Sequence, residues 1–204
     1  MTRTILRSVL AVLLVVAPAR AATDVWEVFV SEAGAAHGDL GTRAATFLRE
    51  HRPARDTTID LDLLMDNLDY ALRARKTFPW AADVPEEIFF NDILPYAVLD
   101  ETRESWRPAF FERASAIVAG CSTASEAAQE LNRRFFNEIN VHYNTGRKRP
   151  NQSPTESIEQ GRATCTGLSI ILVDACRAVG IPTRVAGVAT WHDKRGNHTW
   201  VEIW

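Results

Sequence analysis

The sequence predicts an α+β chain, in which a mainly helical stretch leads into a helix and then a β-hairpin. Three observations carry this. Apolar residues recur at helical spacing through much of 24–143, as in Leu61, Leu64, Met65, Leu68 and Leu72. The segment CTGLSIILVDACRAV, starting at Cys165, is an apolar helix pattern that Gly180 and Pro182 bring to a stop. RVAGVATW (184–191) and NHTWVEIW (197–204) are short runs rich in β-branched and aromatic residues, separated by a polar turn ending in Gly196.

The N-terminus reads as a secretory signal. Arg3 and Arg7 form a basic head, 8–17 is an apolar run, and Ala19-Arg20-Ala21 fits a small-x-small cleavage site. The run is shorter than the roughly 20 residues a membrane-spanning helix needs. The expectation is an exported chain, periplasmic or secreted, that loses residues 1–21 and keeps no transmembrane segment. Three domains are expected: the signal peptide 1–21, a helical region 22–122, and a Cys- and His-bearing unit 123–204.

Helices are predicted in order. One follows Asp60, and one lies in VPEEIFFNDILPY, where the acids sit in the first turn and Pro95 ends or kinks it. Another covers 106–118. Thr123 and Glu126 form a capping-box pattern ahead of the stripe Leu131, Phe135 and Ile139, predicting a helix that runs to about Tyr143. NTGRKRPNQSP is then a polar loop. Ser153, Pro154 and Glu156 read as cap, first helical position and capping-box acid of a short helix ended by Gly161.

The chain carries 23 basic and 26 acidic residues, a formal charge of −3. Removing 1–21 takes away three arginines and no acid, leaving −6. A mildly acidic chain with no basic block argues against nucleic acid as partner. The GRKR run at 146–149 reads as a solvated loop. There are three cysteines, at 121, 165 and 176. Cys165 and Cys176 on one helix are about 16 Å apart and cannot bridge. A Cys121–Cys176 bond is the alternative to two buried thiols.

The chemistry concentrates in Cys165 and His198. A cysteine opening a helix meets unpaired N–H groups and a partial positive charge, which favour the thiolate and can bind an oxyanion. Ala163, Thr164, Gly167 and Ser169 are small and leave that helix start open. Strand alternation puts His198, Trp200, Glu202 and Trp204 on one face, so an imidazole could reach the sulfur if the hairpin crosses the helix start. That pair would be a nucleophile with its base. A metal reading is weak, since His192 and His198 stand six apart with no cysteine pair and no HExxH. His37, His51 and His142 read as surface or core histidines.

GRATCTGLSIILVDACRAVGIPTRVAGVATW followed by NHTWVEIW resembles the transglutaminase-like superfamily. The matching features are Gly-x-x-x-Cys, a helix ending in Gly-Ile-Pro-Thr-Arg, a strand, and His-x-Trp-Val-Glu. VPEEIFFNDILPYAVLDETRESWR is similar to the helical prefix of a bacterial, secreted branch. The resemblance implies a papain-like core, with the cysteine helix packed on an antiparallel sheet. It also implies Cys165 as nucleophile, His198 as base, no cofactor and no metal. The implied function is thiol acyl transfer on a peptide or protein amide substrate, ending in hydrolysis or transamidation through a Cys thioester. The family's third residue is an aspartate on the strand after the histidine strand. The sequence in hand ends at Trp204, six residues past His198 and before that strand. An enzyme is therefore expected if the domain continues beyond Trp204; the alternative is a noncatalytic binding or interaction module. Within 1–204, Asp193 and Glu202 are the acids that could orient His198. The open edge of the last strand leads to an expectation of lower stability and activity than in a longer form. Oligomeric state is not predicted.

Overall fold

A computed structural model describes residues 24–192 and 195–204. The expected signal segment 1–21 and Asp193 lie outside the described residues. Helix α1 (Val25–His51) opens at Asp24, whose carboxylate accepts from the Trp26 N–H, and it breaks at Gly38, where φ is 63°. Helix α2 (Leu61–Thr77) is capped by Asp60, which accepts from the N–H groups of Asp62 and Leu63. The short α3 (Pro79–Ala82) and α4 (Glu86–Asp92) follow. Trp26, Phe29, Leu64, Leu68, Phe89 and Leu94 are buried together between these helices.

A second apolar cluster holds the rest in place. Helix α5 (Arg107–Val118) and α6 (Ala124–Glu138) pack Phe110 and Phe135 edge-on at 4.9 Å, with Leu131, Ile171, Ala175 and Ile181 beside them. The Thr123 cap forms as expected. The Glu126 carboxylate, however, reaches back to the Ser122 N–H. Helix α6 ends at Glu138, short of the expected Tyr143. Asn140 takes a left-handed φ of 52°, which turns the chain into strand β1 (His142–Tyr143).

Strand β1 pairs in parallel with β2 (Arg162–Ala163), and the helix α7 (Pro154–Gln160) lies between them in the chain. Both halves of the Ser153–Glu156 capping box are present, and Gly161 closes α7 in the left-handed conformation, φ 61°. These two short devices set the position of residue 163, two before the cysteine.

Helix α8 (Cys165–Ala178) is the central element, buried on nearly every side. The apolar residues Leu168, Ile171, Leu172 and Ala175, at helical spacing, split between two environments. Ile171 and Ala175 enter the helical core, while Leu168 and Leu172 are half-buried and face the cleft described below. At the far end the Trp80 indole N–H donates to the Val179 carbonyl at 2.9 Å. Gly180 adopts φ 74°, and a Cβ there would lie 2.5 Å from that of Ala81, so both backbone conformation and space require glycine. Strands β3 (Thr183–Val188) and β4 (His198–Ile203) form the expected antiparallel hairpin, with Val188 opposite His198 and Thr183 opposite Ile203. Both are shorter than their apolar patterns. Cys121, Cys165 and Cys176 are all free thiols, so the Cys121–Cys176 bridge does not form. Burial pushes the Cys176 thiol up to about 12.

Buried arginines join the front helices to α8. Arg107 donates to the Asn67 side chain at 2.7 Å and to the carbonyls of Ile93, Pro95 and Arg177 at 2.8, 3.1 and 3.0 Å. Burial, with Arg177 adding its charge, pulls the Arg107 guanidinium down to about 9, so it remains charged at neutral pH. Arg177 in turn donates to the carbonyls of Asp92, Ala97 and Thr183. Asp174 is fully buried beside them, and burial holds its carboxyl well above the ordinary range, Glu101 adding to the shift and both arginines opposing it. Among the described residues, no helix is long and apolar enough to cross a membrane.

Candidate active site

Three walls make a cleft of about 820 Å³. The first turns of α8 supply Cys165, Leu168 and Ser169; α6 supplies Gln129, Asn132 and Phe136; the hairpin supplies Trp191, Asn197, His198, Thr199 and Trp200. The two residues singled out by sequence, Cys165 and His198, thus line one cavity.

Each arrives there for a local reason. Helices α6 and α7 begin with side-chain caps, from Thr123 and Ser153. Helix α8 does not: Thr164 occupies the N-cap position and makes no side-chain cap hydrogen bond. The first turn of any α-helix has N–H groups without intrahelical partners, so the backbone around Cys165 offers donors toward the cleft. Gly167 lets this turn sit close, since a Cβ there would come within 2.9 Å of the Ala163 methyl. Cys165 itself is half-buried, which leaves the sulfur reachable.

The hairpin is joined to the helix start beside both residues. The hydroxyls of Thr166 and Thr199 share a hydrogen bond at 3.2 Å, linking the neighbour of Cys165 to the neighbour of His198. The Trp204 N–H donates to the Pro182 carbonyl at 3.1 Å, so the hydrogen-bonded pairs of this ladder include the even-numbered residues of β4. The backbone groups of Thr199, Val201 and Ile203 therefore point to the other edge of β4, and these same residues line the cleft. The cleft runs along that edge.

Cys165 and His198 are not directly bonded among the described residues. The imidazole packs edge-on against Trp191, centroids 4.8 Å apart, and lies nearly parallel to Trp200 at 6.1 Å. Glu202, one of the two acids considered for orienting His198, is engaged elsewhere. Its carboxylate accepts from Arg184 at 3.1 and 3.2 Å and from the Trp200 indole N–H at 3.2 Å. The side chains of the 151–153 loop are committed too. Asn151 donates to Asp100, Gln152 to Ser157 and Arg162, and Ser153 to Glu104. Among the described residues, no group of His, Cys, Asp and Glu is arranged to hold a metal.

Sequence reasoning missed the α6 wall. Its signal was present as an uncharged stripe at helical spacing inside a highly charged helix. The tryptophans were visible as strand formers, but their stacking on His198 depends on the hairpin register.

Residues 112–204 match the family model described as the transglutaminase-like superfamily. That span takes in the later part of α5, together with α6, α7, α8 and the hairpin. A solved structure similar to this chain is that of a "Putative Cysteine Protease" from Cytophaga hutchinsonii, at 19% identity and a TM-score of 0.45. The similarity covers 63% of this chain and 43% of that one, so this chain spans less than half the length of that protein. No curated protein matches the chain.

Proposed function

We propose that the transglutaminase-like segment, residues 112–204, is a thiol acyl-transfer centre in which Cys165 is the nucleophile and His198 the base. The observation that supports this best is the shared cleft, with the uncapped start of α8 beneath Cys165 and the Thr166–Thr199 hydrogen bond holding the histidine strand against it. In the reaction, His198 takes the thiol proton and the sulfur attacks an amide carbonyl. Backbone N–H groups at the helix start stabilise the oxyanion. The C–N bond then breaks, the amine leaving with the proton from His198, and a thioester remains on Cys165. Water or an amine attacks the thioester, gives its proton to His198, and frees the thiol. Hydrolysis is the favoured outcome, because water needs no second binding site. Among the described residues, His198 and Cys165 share no hydrogen bond in the free chain, and catalytic hydrogen bonds of this kind often tighten only when substrate binds.

Alkylation tests the assignment. At pH 6, iodoacetamide should label Cys165 faster than Cys121 or Cys176, and His198→Ala should slow it. Equal labelling of the three thiols sinks the reading. It would leave the noncatalytic binding module, which draws on the lack of a direct Cys165–His198 bond among the described residues.

The functional unit proposed is 123–204, behind a helical region 22–122, in a chain exported with loss of 1–21. Arg3, Arg7, the 8–17 apolar run and the Ala19–Ala21 site support the export. Expression in a bacterium should give a periplasmic or secreted product whose mass starts at Ala22; an uncleaved cytoplasmic product would overturn it.

A further inference from the structure

We propose that the cleft selects an acyl donor bearing a carboxylate, and that Arg195 is the specificity residue that reads this carboxylate. The inference rests on the acyl-transfer reading of Cys165 and adds the substrate class.

The first observation is the choice of side chains on α6. Five of its residues are charged: Glu126, Glu130, Arg133, Arg134 and Glu138. The stripe it turns to the cleft is Ser125, Ala128, Gln129, Asn132 and Phe136, which carries no charge at all. Residues three and four apart share a helix face, so this is one continuous neutral strip. The charged residues are occupied among themselves or elsewhere. Glu130 pairs with Arg133 at 2.6 Å, Glu126 accepts from the Ser122 N–H at 2.8 Å, and Glu138 faces Arg113 at 3.7 Å.

The second observation is independent of α6. Strand β4 contains one acid, Glu202, and it is bound to Arg184 and the Trp200 indole. Arg195, on the exposed turn between the strands, lines the cleft together with His198 and Asn197. Among the described residues lining the cleft, Arg195 is the one permanently charged side chain, and no carboxylate opposes it. The chain as a whole has more acids than bases, 26 against 23, so Arg195 carries the sign opposite to the molecule's net charge. A guanidinium matches a carboxylate with two parallel hydrogen bonds. A cationic substrate would meet repulsion without a counter-charge. The aromatic and amide walls suit the neutral remainder of a peptide.

Cys165 can serve as its own reporter. Iodoacetate and iodoacetamide react alike, the sulfur displacing iodide, but the first is an anion and the second is neutral. The measurement is the ratio of their rates at Cys165, read by peptide mass on the full chain at pH 9, where an unactivated thiol also ionises appreciably. Arg195→Gln should lower the iodoacetate to iodoacetamide ratio roughly threefold at low salt, and Arg195→Glu further. Arg195→Lys should restore most of it. Raising the salt to about 1 M should bring all four proteins together. The positive end of α8 is common to every variant, so the change in ratio isolates Arg195, and the ratio at Cys121 serves as the control. An unchanged ratio at Cys165 in Arg195→Gln, or one that ignores salt, overturns the proposal. Failure of the acyl-transfer reading would look different: Cys165 would label no faster than Cys121 at pH 6, whatever the ratio at pH 9.

Discussion

The two ends of α8 face opposite demands. At its C-terminal end, Arg177 and Arg107 donate to backbone carbonyls from four segments, Trp80 reaches over to Val179, and Gly180 lies against Ala81 with no room for a methyl group. At its N-terminal end the helix has no side-chain cap, one hydroxyl contact to the hairpin, and a cleft of about 820 Å³ above it. The arginines are satisfied where the helix is anchored, although the buried Asp174 carboxyl beside them has no hydrogen-bond partner among the described residues, and backbone donors are left available where Cys165 sits. The difference teaches how a helix can be held rigidly enough to position the proposed nucleophile while its backbone donors stay open.

Breaking the anchored end should have the largest effect. Arg107→Met removes the donor shared by Asn67 and the carbonyls of Ile93, Pro95 and Arg177. Leaving those groups buried and unpaired should cost about 3–5 kcal/mol, a large part of a typical domain's stability. Denaturant unfolding should show the midpoint falling accordingly. A loss under about 1 kcal/mol would mean that the apolar contacts alone hold this end. The open end should respond far less. Thr166→Val deletes the hydroxyl bonded to Thr199 and should cost about 1 kcal/mol or below. Its effect should appear in the chemistry instead: the rate advantage that His198 gives Cys165 in alkylation should shrink, because the strand is no longer held at that point. If Thr166→Val matches the parent in this advantage, the hydroxyl contact does not position the histidine.

This contrast also describes what could be read from the sequence. The ends of α7 and α8, the Ser153 capping box and the hairpin were all legible, because each rests on a local pattern of caps, stops or alternation, while the meeting of Cys165 with His198 in one cavity was legible only on condition that the hairpin crosses the helix start. The early end of α6 was not: apolar periodicity continues through Ile139, and the left-handed turn at Asn140 has no periodic signature. Strands β1 and β2 are two residues each, too short for alternation to register. The burial of Arg107 and Arg177 has no local signature, since a buried arginine is rare without the carbonyls that only the fold supplies. In the site, residue types pointed to Cys165 and His198, which line one cleft. The wall contributed by α6 and the engagement of Glu202 by Arg184 depend on register and long-range packing.

The Trp80–Val179 hydrogen bond has a consequence for how the length of this chain can vary. It closes a loop of 99 residues, from α3 to the end of α8. The entropy of closing a loop rises only with the logarithm of its length, so the penalty for this one exceeds that for a loop a third as long by about 1 kcal/mol. Segments looped out between α3 and α8, such as the polar stretch after β1, can therefore lengthen or shorten across related chains with little effect on the anchored end. The joint that fixes the cysteine helix is thermodynamically tolerant of insertions in the very region from which the α6 wall of the cleft is drawn.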